Sequence, residues 1–352
     1  CLYILLSSRY RTFRSVRNQN GGALLALNIL RVRPWHQYAV MEVASRGPGD
    51  IARRGGLVQP DVAIVTCVCS PHQRSYSSLE ETAVEKLQLL EQLRPGGLGL
   101  INSDDPRLLA GVKDGKHRLM KFGSVPESDL VCSEVRSIWP GRLEFVAGLG
   151  AKRVPVKTSL LGKHWVHPVA GAILAAAECG IPVEASAGLV GELRPFDARM
   201  QPVRLPSGAV VVRDDYNGSE ESFDVALSWF EEARAQRRIL IAGDYSDSRK
   251  KTKSRLAQLG RRAAGFCDHA VFVGPHAHHS ERGALNEGMP ADRVTSFSSI
   301  RAAVPHVQEL LQKDDLVLFK SRSGDHFARL LFALVGPVSC WKTKCSESFL
   351  CD

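Results

Sequence analysis

Between residues 208 and 335, five short apolar runs (209–212, 239–242, 270–273, 294–297 and 316–319) are separated by patterns of helical length at 222–235, 255–264 and 300–311. No other feature narrows the possible folds as much. A strand that is apolar throughout, and not only at alternate positions, has both faces to bury, and parallel neighbours need a long crossover between them. Continuous apolar strands joined by helices therefore predict a parallel sheet covered on both sides, an α/β domain of Rossmann-like type. The first half reads similarly with longer connections, with strands expected at 38–43, 62–68 and 98–101. A helix over 79–93 is announced by Ser78 with Glu81 three residues on, a capping box. Its apolar side is Leu79, Ala83, Leu87 and Leu90, and Lys86 falls on that same side. A second helix, over 169–179, stops at Gly180 and Pro182.

A chain of 352 residues suffices for two domains with their own cores. Pro195 and Pro202 bracket the expected linker at 192–201, giving domains at 1–197 and 198–338 and a tail at 339–352. Apolar residues at 44% and charged residues at 24% exclude a disordered chain, and no apolar run is long enough to span a bilayer. Residues 1–10 lack the basic flank and cleavage site of a signal peptide. Because Cys1 comes first and the first methionine is Met41, the sequence is expected to be a fragment lacking its natural start. Nine irregularly spaced cysteines fit reduced thiols in a cytoplasmic protein, and Cys340, Cys345 and Cys351 are expected in a loose tail that binds nothing. The net charge of +9 suits an acidic partner, a nucleotide or a nucleic acid. The densest basic run, 249–255, has no interleaved aromatics and reads as a solvated loop. His276, His278 and His279 fall in a loop rich in Gly and Pro, with no carboxylate at helical spacing, and do not read as a metal site.

Four polar clusters follow expected strands, where open α/β sheets present ligands. They are Glu42; Thr66 leading to His72, with Lys86 fourteen positions later; Asn102-Ser103-Asp104-Asp105; and Arg213-Asp214-Asp215-Tyr216-Asn217. Taken singly each has an ordinary reading. Glu42 is a loop carboxylate, His72 a solvated turn histidine, Lys86 a lysine snorkelling to the helix rim, and Asp214 a cap for the next helix.

In this order and spacing the clusters resemble the central and C-terminal domains of the Mur ligase family, from about residue 11 to 335, and most closely the branch that joins D-alanyl-D-alanine to a UDP-muramoyl tripeptide. The resemblance implies a fold of two parts, a P-loop-NTPase-like, mostly parallel central domain and a Rossmann-like C-terminal domain. It implies an ATP-dependent, amide-forming ligase of cell-wall synthesis, acting as a monomer through an acyl-phosphate on small-molecule substrates, with ATP and Mg2+ as cofactors. Glu42, His72 and a carbamylated Lys86 would be the catalytic, metal-holding set. Asn102, His164 of the Gly162-Lys163-His164 motif, Arg199, Asp214, Tyr216 and Asn217 would bind ATP, Arg199 reaching phosphate from the second domain.

The departures are specific. No Gly-Lys-Thr/Ser phosphate loop is present, and residues 1–11 resemble the helix that follows one. Trp165 and Pro168 stand where the family has asparagines, Cys67 replaces another, Arg213 takes the place of the first aspartate, and Lys320-Ser321-Arg322 matches K-G-S only loosely. These departures keep open a non-catalytic Mur-like nucleotide-binding protein and, resting on charge alone, a nucleic-acid-binding protein.

Overall fold

The computed structural model describes the chain except residues 17–18, 70–74, 113–116, 247, 249, 343–344, 346–350 and 352. It contains two compact units: the first comprises Cys1–Ser137, Arg142–Ser159 and Lys163–Arg194, and the second Ile138–Gly141, Leu160–Gly162 and Pro195–Asp352. Two short segments before the expected linker thus belong to the second unit.

The first unit opens with α1 (Leu2–Ser7), β1 (Thr12–Arg14), α2 (Gly22–Arg31), β2 (Tyr38–Val40) and α3 (Asp50–Val58). There follow β3 (Val62–Val65), α4 (Leu79–Glu91), β4 (Leu98–Asn102), α5 (Pro106–Gly111) and β5 (Arg118–Gly123). It closes with β6 (Leu130–Arg136), β7 (Glu144–Leu149), β8 (Lys152–Lys157), α6 (Val166–Glu178) and α7 (Val183–Gly191). Strands β3 to β8 form one sheet in sequential order, parallel from β3 to β6 and antiparallel from β6 to β8. The short β1 and β2 pair with each other in a separate parallel ribbon. The strand expected at 38–43 ends at Val40, so Glu42 lies on the loop beyond it.

Helix α4 shows how local rules and packing combine. Ser78 Oγ accepts the Glu81 amide at 3.1 Å, and Glu80 and Glu81 place negative charge at the positive end of the helix dipole. The Glu81 carboxylate turns to the amide and hydroxyl of Ser77, both at 2.6 Å, one residue earlier than a capping box requires. Ala83, Leu87 and Leu90 enter a core with Ala63, Val65, Ile101 and Leu108. The buried charge on this helix is Glu85, 3% exposed, whereas Lys86 is half-buried at the edge of the apolar side. Helix α6 begins at Val166, three residues before the expected start, with Pro168 in its first turn, where a missing N–H costs nothing.

The second unit contains β9 (Gln201–Arg204), β10 (Val210–Asp214), α8 (Glu220–Glu232), β11 (Arg238–Ala242), α9 (Thr252–Ala264) and β12 (His269–Val273). It continues with α10 (His278–Asn286), β13 (Val294–Phe297), α11 (Ile300–Leu310), β14 (Leu316–Lys320) and α12 (Ala328–Val335). Its sheet runs β13-β12-β11-β14-β10-β9, parallel except for the edge strand β9. Alternate strand residues feed two cores. Val212, Leu240, Phe272 and Leu318 pack with Phe223, Phe230, Leu256 and Leu259, while Val211, Ile241, Val317 and Phe319 pack with Val307, Phe327 and Leu330.

Two expectations about loops are corrected here. The basic run 249–255 enters α9 at Thr252, and Arg255 pairs with Asp244 at 3.0 Å, both largely buried. The segment with His276, His278 and His279 is not all loop, because α10 starts at His278, and Glu281, three residues on in its first turn, is a carboxylate at helical spacing from it.

Candidate functional site

In the first unit, the polar residues cluster at the carboxyl ends of β3, β4 and β5. Asn102, 2% exposed, donates from Nδ2 to the Thr66 carbonyl at 2.8 Å and accepts the Asp104 amide on Oδ1 at 2.9 Å. Both its polar groups are thus used to join β3 to the turn after β4. Asp104 takes the amide and hydroxyl of Ser124 at 2.7 and 2.9 Å on Oδ1, and Oδ2 lies 2.7 Å from His167 Nε2 at the start of α6. Burial works to raise the Asp104 pKa, but the bonds from His167 and Ser124 outweigh it and hold the carboxyl below its ordinary 3.8. Asp105 caps α5 through the Arg107 amide, binds the Arg107 side chain at 2.9 Å, and accepts the Val68 amide at 3.0 Å. The pairing of His167 with Asp104 was missed from sequence, although His167 stands three residues after the histidine singled out there.

Glu42 is exposed, and its Oε1 accepts from Asn20 Nδ2 at 2.9 Å. His72 lies outside the described residues. Lys86 is close enough to Cys67 for its positive charge to favour the thiolate. The Cys67 thiol, exposed at the surface, is held down at about 6, first by a hydrogen bond from Cys69, then by Lys86, Thr66 and His167, against partial desolvation by the protein around it. Among the described residues no three His, Cys, Asp or Glu side chains are grouped to hold a metal ion. The neighbouring Glu85, which sequence reasoning passed over, accepts the amides of Gly49 and Ile51, both at 2.8 Å, and the Ser45 hydroxyl at 3.2 Å. It thereby fastens α4 to the loop that follows Glu42. His164 sits in a 3-10 turn, Lys163–Trp165, with its ring 5.4 Å from that of Trp165.

In the second unit, the register of β10 against β14 places Asp214 opposite Lys320. Lys320 is fully buried, and its ammonium donates to Asp214 Oδ2 at 2.6 Å, the Asn217 carbonyl at 2.7 Å and Ser222 Oγ at 3.1 Å, lying 5.0 Å from the centre of the Phe223 ring. Burial pushes the Lys320 pKa down while Asp214 pulls it back up. Asp214 does not cap the next helix; Ser219 does, accepting the Ser222 amide at 3.2 Å. Asp214 Oδ1 instead accepts the Met200 amide at 3.2 Å. Arg199 lies over the Tyr216 ring at 4.4 Å, a cation–π contact, and Asn217 Oδ1 accepts the Ser219 amide at 3.1 Å. Arg213, expected in the place of an aspartate, makes a bidentate pair with the buried Asp215, both bonds 3.0 Å. The structure therefore brings Arg199, Asp214, Tyr216 and Asn217 together at the end of one strand, and Lys320, seen in the sequence only as part of a loose motif, binds Asp214 and Asn217 from beneath. A carboxylate offers about four lone-pair directions, so the Asp214 carboxylate retains capacity for ligand hydroxyls.

The Mur ligase middle domain model matches residues 2–176, and the Mur ligase glutamate ligase domain model matches residues 198–323. The chain belongs to the Mur ligase family. A UDP-N-acetylmuramoyl-tripeptide–D-alanyl-D-alanine ligase of Bacillus subtilis is 26% identical to this Mur family chain over 327 residues, 92% of the chain and 70% of the relative. The enzyme of that name from Escherichia coli is 24% identical, with 78% and 61% covered. The chain thus spans 61% to 70% of the length of these curated relatives. Among solved structures, MurF from Acinetobacter baumannii superposes with a TM-score of 0.84 at 22% identity, covering 95% of this chain and 72% of its own. MurF ligase from Thermotoga maritima in complex with ADP gives 0.81 at 21% identity, with 95% and 75% covered. At these identities the superpositions establish the shared fold.

Proposed function

We propose that this Mur ligase chain carries the nucleotide- and metal-handling parts of an ATP-dependent ligase, one that activates a substrate carboxylate as an acyl-phosphate and joins it to an amine. The observation that carries this reading is the match to both Mur domain models, in order, with polar residues gathered at strand ends in each unit. The sequence relatives name the substrate class: a UDP-muramoyl tripeptide carboxylate and the amine of D-alanyl-D-alanine. In such a reaction negative charge builds on phosphoryl oxygens, so fixed cations and positioned donors do most of the catalytic work.

Each residue then has a task. Asp214, steadied by Lys320, accepts from ribose hydroxyls, Tyr216 and Asn217 face the base, and Arg199 offers a cation to phosphate. In the first unit, the turn from Asn102 to Asp105 keeps the ends of β3, β4 and β5 in fixed relation. Glu42 and Lys86 belong to the magnesium-facing set together with His72. A carboxylate fits that role directly, and Lys86 fits it after carbamylation turns its amine into an oxygen anion. When bound, magnesium would neutralise charge on phosphoryl oxygens.

The test begins with the 352-residue chain. Calorimetry should show Mg-ADP binding that Tyr216→Ala weakens at least tenfold, and the chain should not turn over ATP, because it contains no Gly-Lys-Thr/Ser cradle. Failure to bind ADP overturns the nucleotide assignment, and robust hydrolysis overturns the argument from the missing cradle. Joined to the part of the Bacillus subtilis relative that this chain does not cover, the chain should support ligation that Lys86→Ala abolishes and a small carboxylic acid partly restores. ADP binding without ligation by this fusion favours the second reading, a non-catalytic nucleotide-binding protein, which Trp165 and Pro168 at the family's asparagine positions support.

A further inference from the structure

Cys67 and Cys69 stand two residues apart just after β3, with Sγ atoms 3.5 Å apart. Side chains at i and i+2 of extended backbone share a face, at a Cα separation near the upper end of what a disulfide spans, about 6–7 Å. What sets this pair apart is the fixing of the backbone between them. The Thr66 carbonyl is held by Asn102 at 2.8 Å, the Val68 amide is held by Asp105 at 3.0 Å, and the Val68 side chain is buried in the core. The segment is anchored before the first cysteine and between the two, so the thiols meet without an entropic search. Cys67 is exposed and Cys69 half-buried, which leaves the first open to a reagent and the second behind it as the resolving group.

We propose that Cys67 and Cys69 form a thiol–disulfide exchange site that low-molecular-weight disulfides of the glutathione class convert reversibly to an intrachain disulfide. The Cys67 thiolate attacks one sulfur of the reagent, whose S–S bond breaks to release one thiolate and leave a mixed disulfide on Cys67. Cys69, having lost its proton to solvent, attacks the Cys67 sulfur and expels the second thiolate. The two cysteine thiols are oxidised by two electrons, and the reagent is reduced to two thiols. Access to the reagent directs which cysteine reacts first. Cys67 is exposed, whereas burial shields the Cys132 thiol and pushes it up to about 12, and raises that of Cys267. The site stands independently of the ligase reading, since neither nucleotide nor metal takes part in it.

The experiment equilibrates the folded chain in glutathione buffers of graded oxidised-to-reduced ratio, quenches with acid, alkylates under denaturing conditions and maps peptides by mass. The expected result is a reversible, ratio-dependent loss of both adducts from the peptide containing Cys67 and Cys69, at ratios that leave Cys132, Cys179 and Cys267 fully alkylated. Cys69→Ser should trap Cys67 as a mixed disulfide with glutathione, and Cys67→Ser should slow glutathionylation of Cys69 at least tenfold. The proposal is overturned if both residues stay alkylated at every ratio, if Cys67 pairs with a different cysteine, or if the two serine variants form mixed disulfides at equal rates.

Discussion

Replacing Lys320 by Met tests whether one buried ammonium holds the strand-end cluster of the second unit. The side chain is 0% exposed and binds Asp214, Asn217 and Ser222 at 2.6, 2.7 and 3.1 Å. Methionine fills most of the volume but leaves the Asp214 carboxylate, whose side chain is only 13% exposed, without its cation, and the Asn217 carbonyl without its donor. Removing one partner of a buried ion pair costs about 3–5 kcal/mol. For a domain of this size each kcal/mol moves the melting temperature by about 2–4 °C, so the second unit should melt roughly 6–20 °C lower. Because the chain holds two units, the measurement should resolve them, through amide exchange in β10 and β14 or through separate calorimetric transitions. The double variant Lys320→Met with Asp214→Leu removes both charges and should recover most of the loss, the Met200 amide remaining without its acceptor. A single-variant shift below about 2 °C, or a double variant no better than the single, would refute the reasoning.

Three further outcomes follow from the geometry. Glu85→Ala strands the amides of Gly49 and Ile51 and should cost about 2–4 kcal/mol in urea unfolding of the first unit, whereas Glu85→Gln keeps an acceptor oxygen and should cost about half as much; equal losses would contradict the capping role. A Cβ on Gly260 of α9 would overlap the Ser280 carbonyl oxygen, a backbone atom that cannot rotate away, so Gly260→Ala should destabilise the second unit by about 3 kcal/mol, measured by thermal melting. The depressed Asp104 pKa stabilises the fold above the ordinary value of 3.8, and that contribution is lost as pH falls through the lower folded value; Asp104→Asn should therefore be about 1–2 kcal/mol less stable at neutral pH and lose less on acidification below about pH 4, in an acid titration followed by circular dichroism.

Much of the second unit was legible in the sequence, because its central strands are apolar on both faces and need no partner to be recognised. The five expected runs lie within one or two residues of β10 to β14. The first unit was less legible. Strands β6 to β8 bury Leu130, Cys132, Phe145, Ala147 and Val156 while Val131 and Val146 between them are only half-buried, so their apolar and polar residues do not alternate cleanly, and over so few positions the pattern does not separate a half-buried strand from a loop. In the candidate site, the sequence singled out Asp214, Tyr216 and Asn217 as a group but passed over Glu85, which differs from any surface glutamate only by what lies beside it.

The sequence alone determined the parallel strands of the second unit, helices such as α4 and α6, which strand ends carry polar residues and, through the order and spacing of those residues, the Mur ligase family. These depend on local propensity and periodicity, which a linear string contains in full. Only the tertiary structure decided which polar groups support and which are available for ligands. Asn102 and Glu85 are enclosed and satisfied, Lys320 is buried beneath Asp214, and Cys67 lies within reach of Cys69 and the charges of Lys86 and His167. The physical reason is that burial and pairing set the energy of a charged group, and both are properties of residues distant in sequence: Lys320 meets its carboxylate across 106 positions, and Asp104 meets His167 across 63.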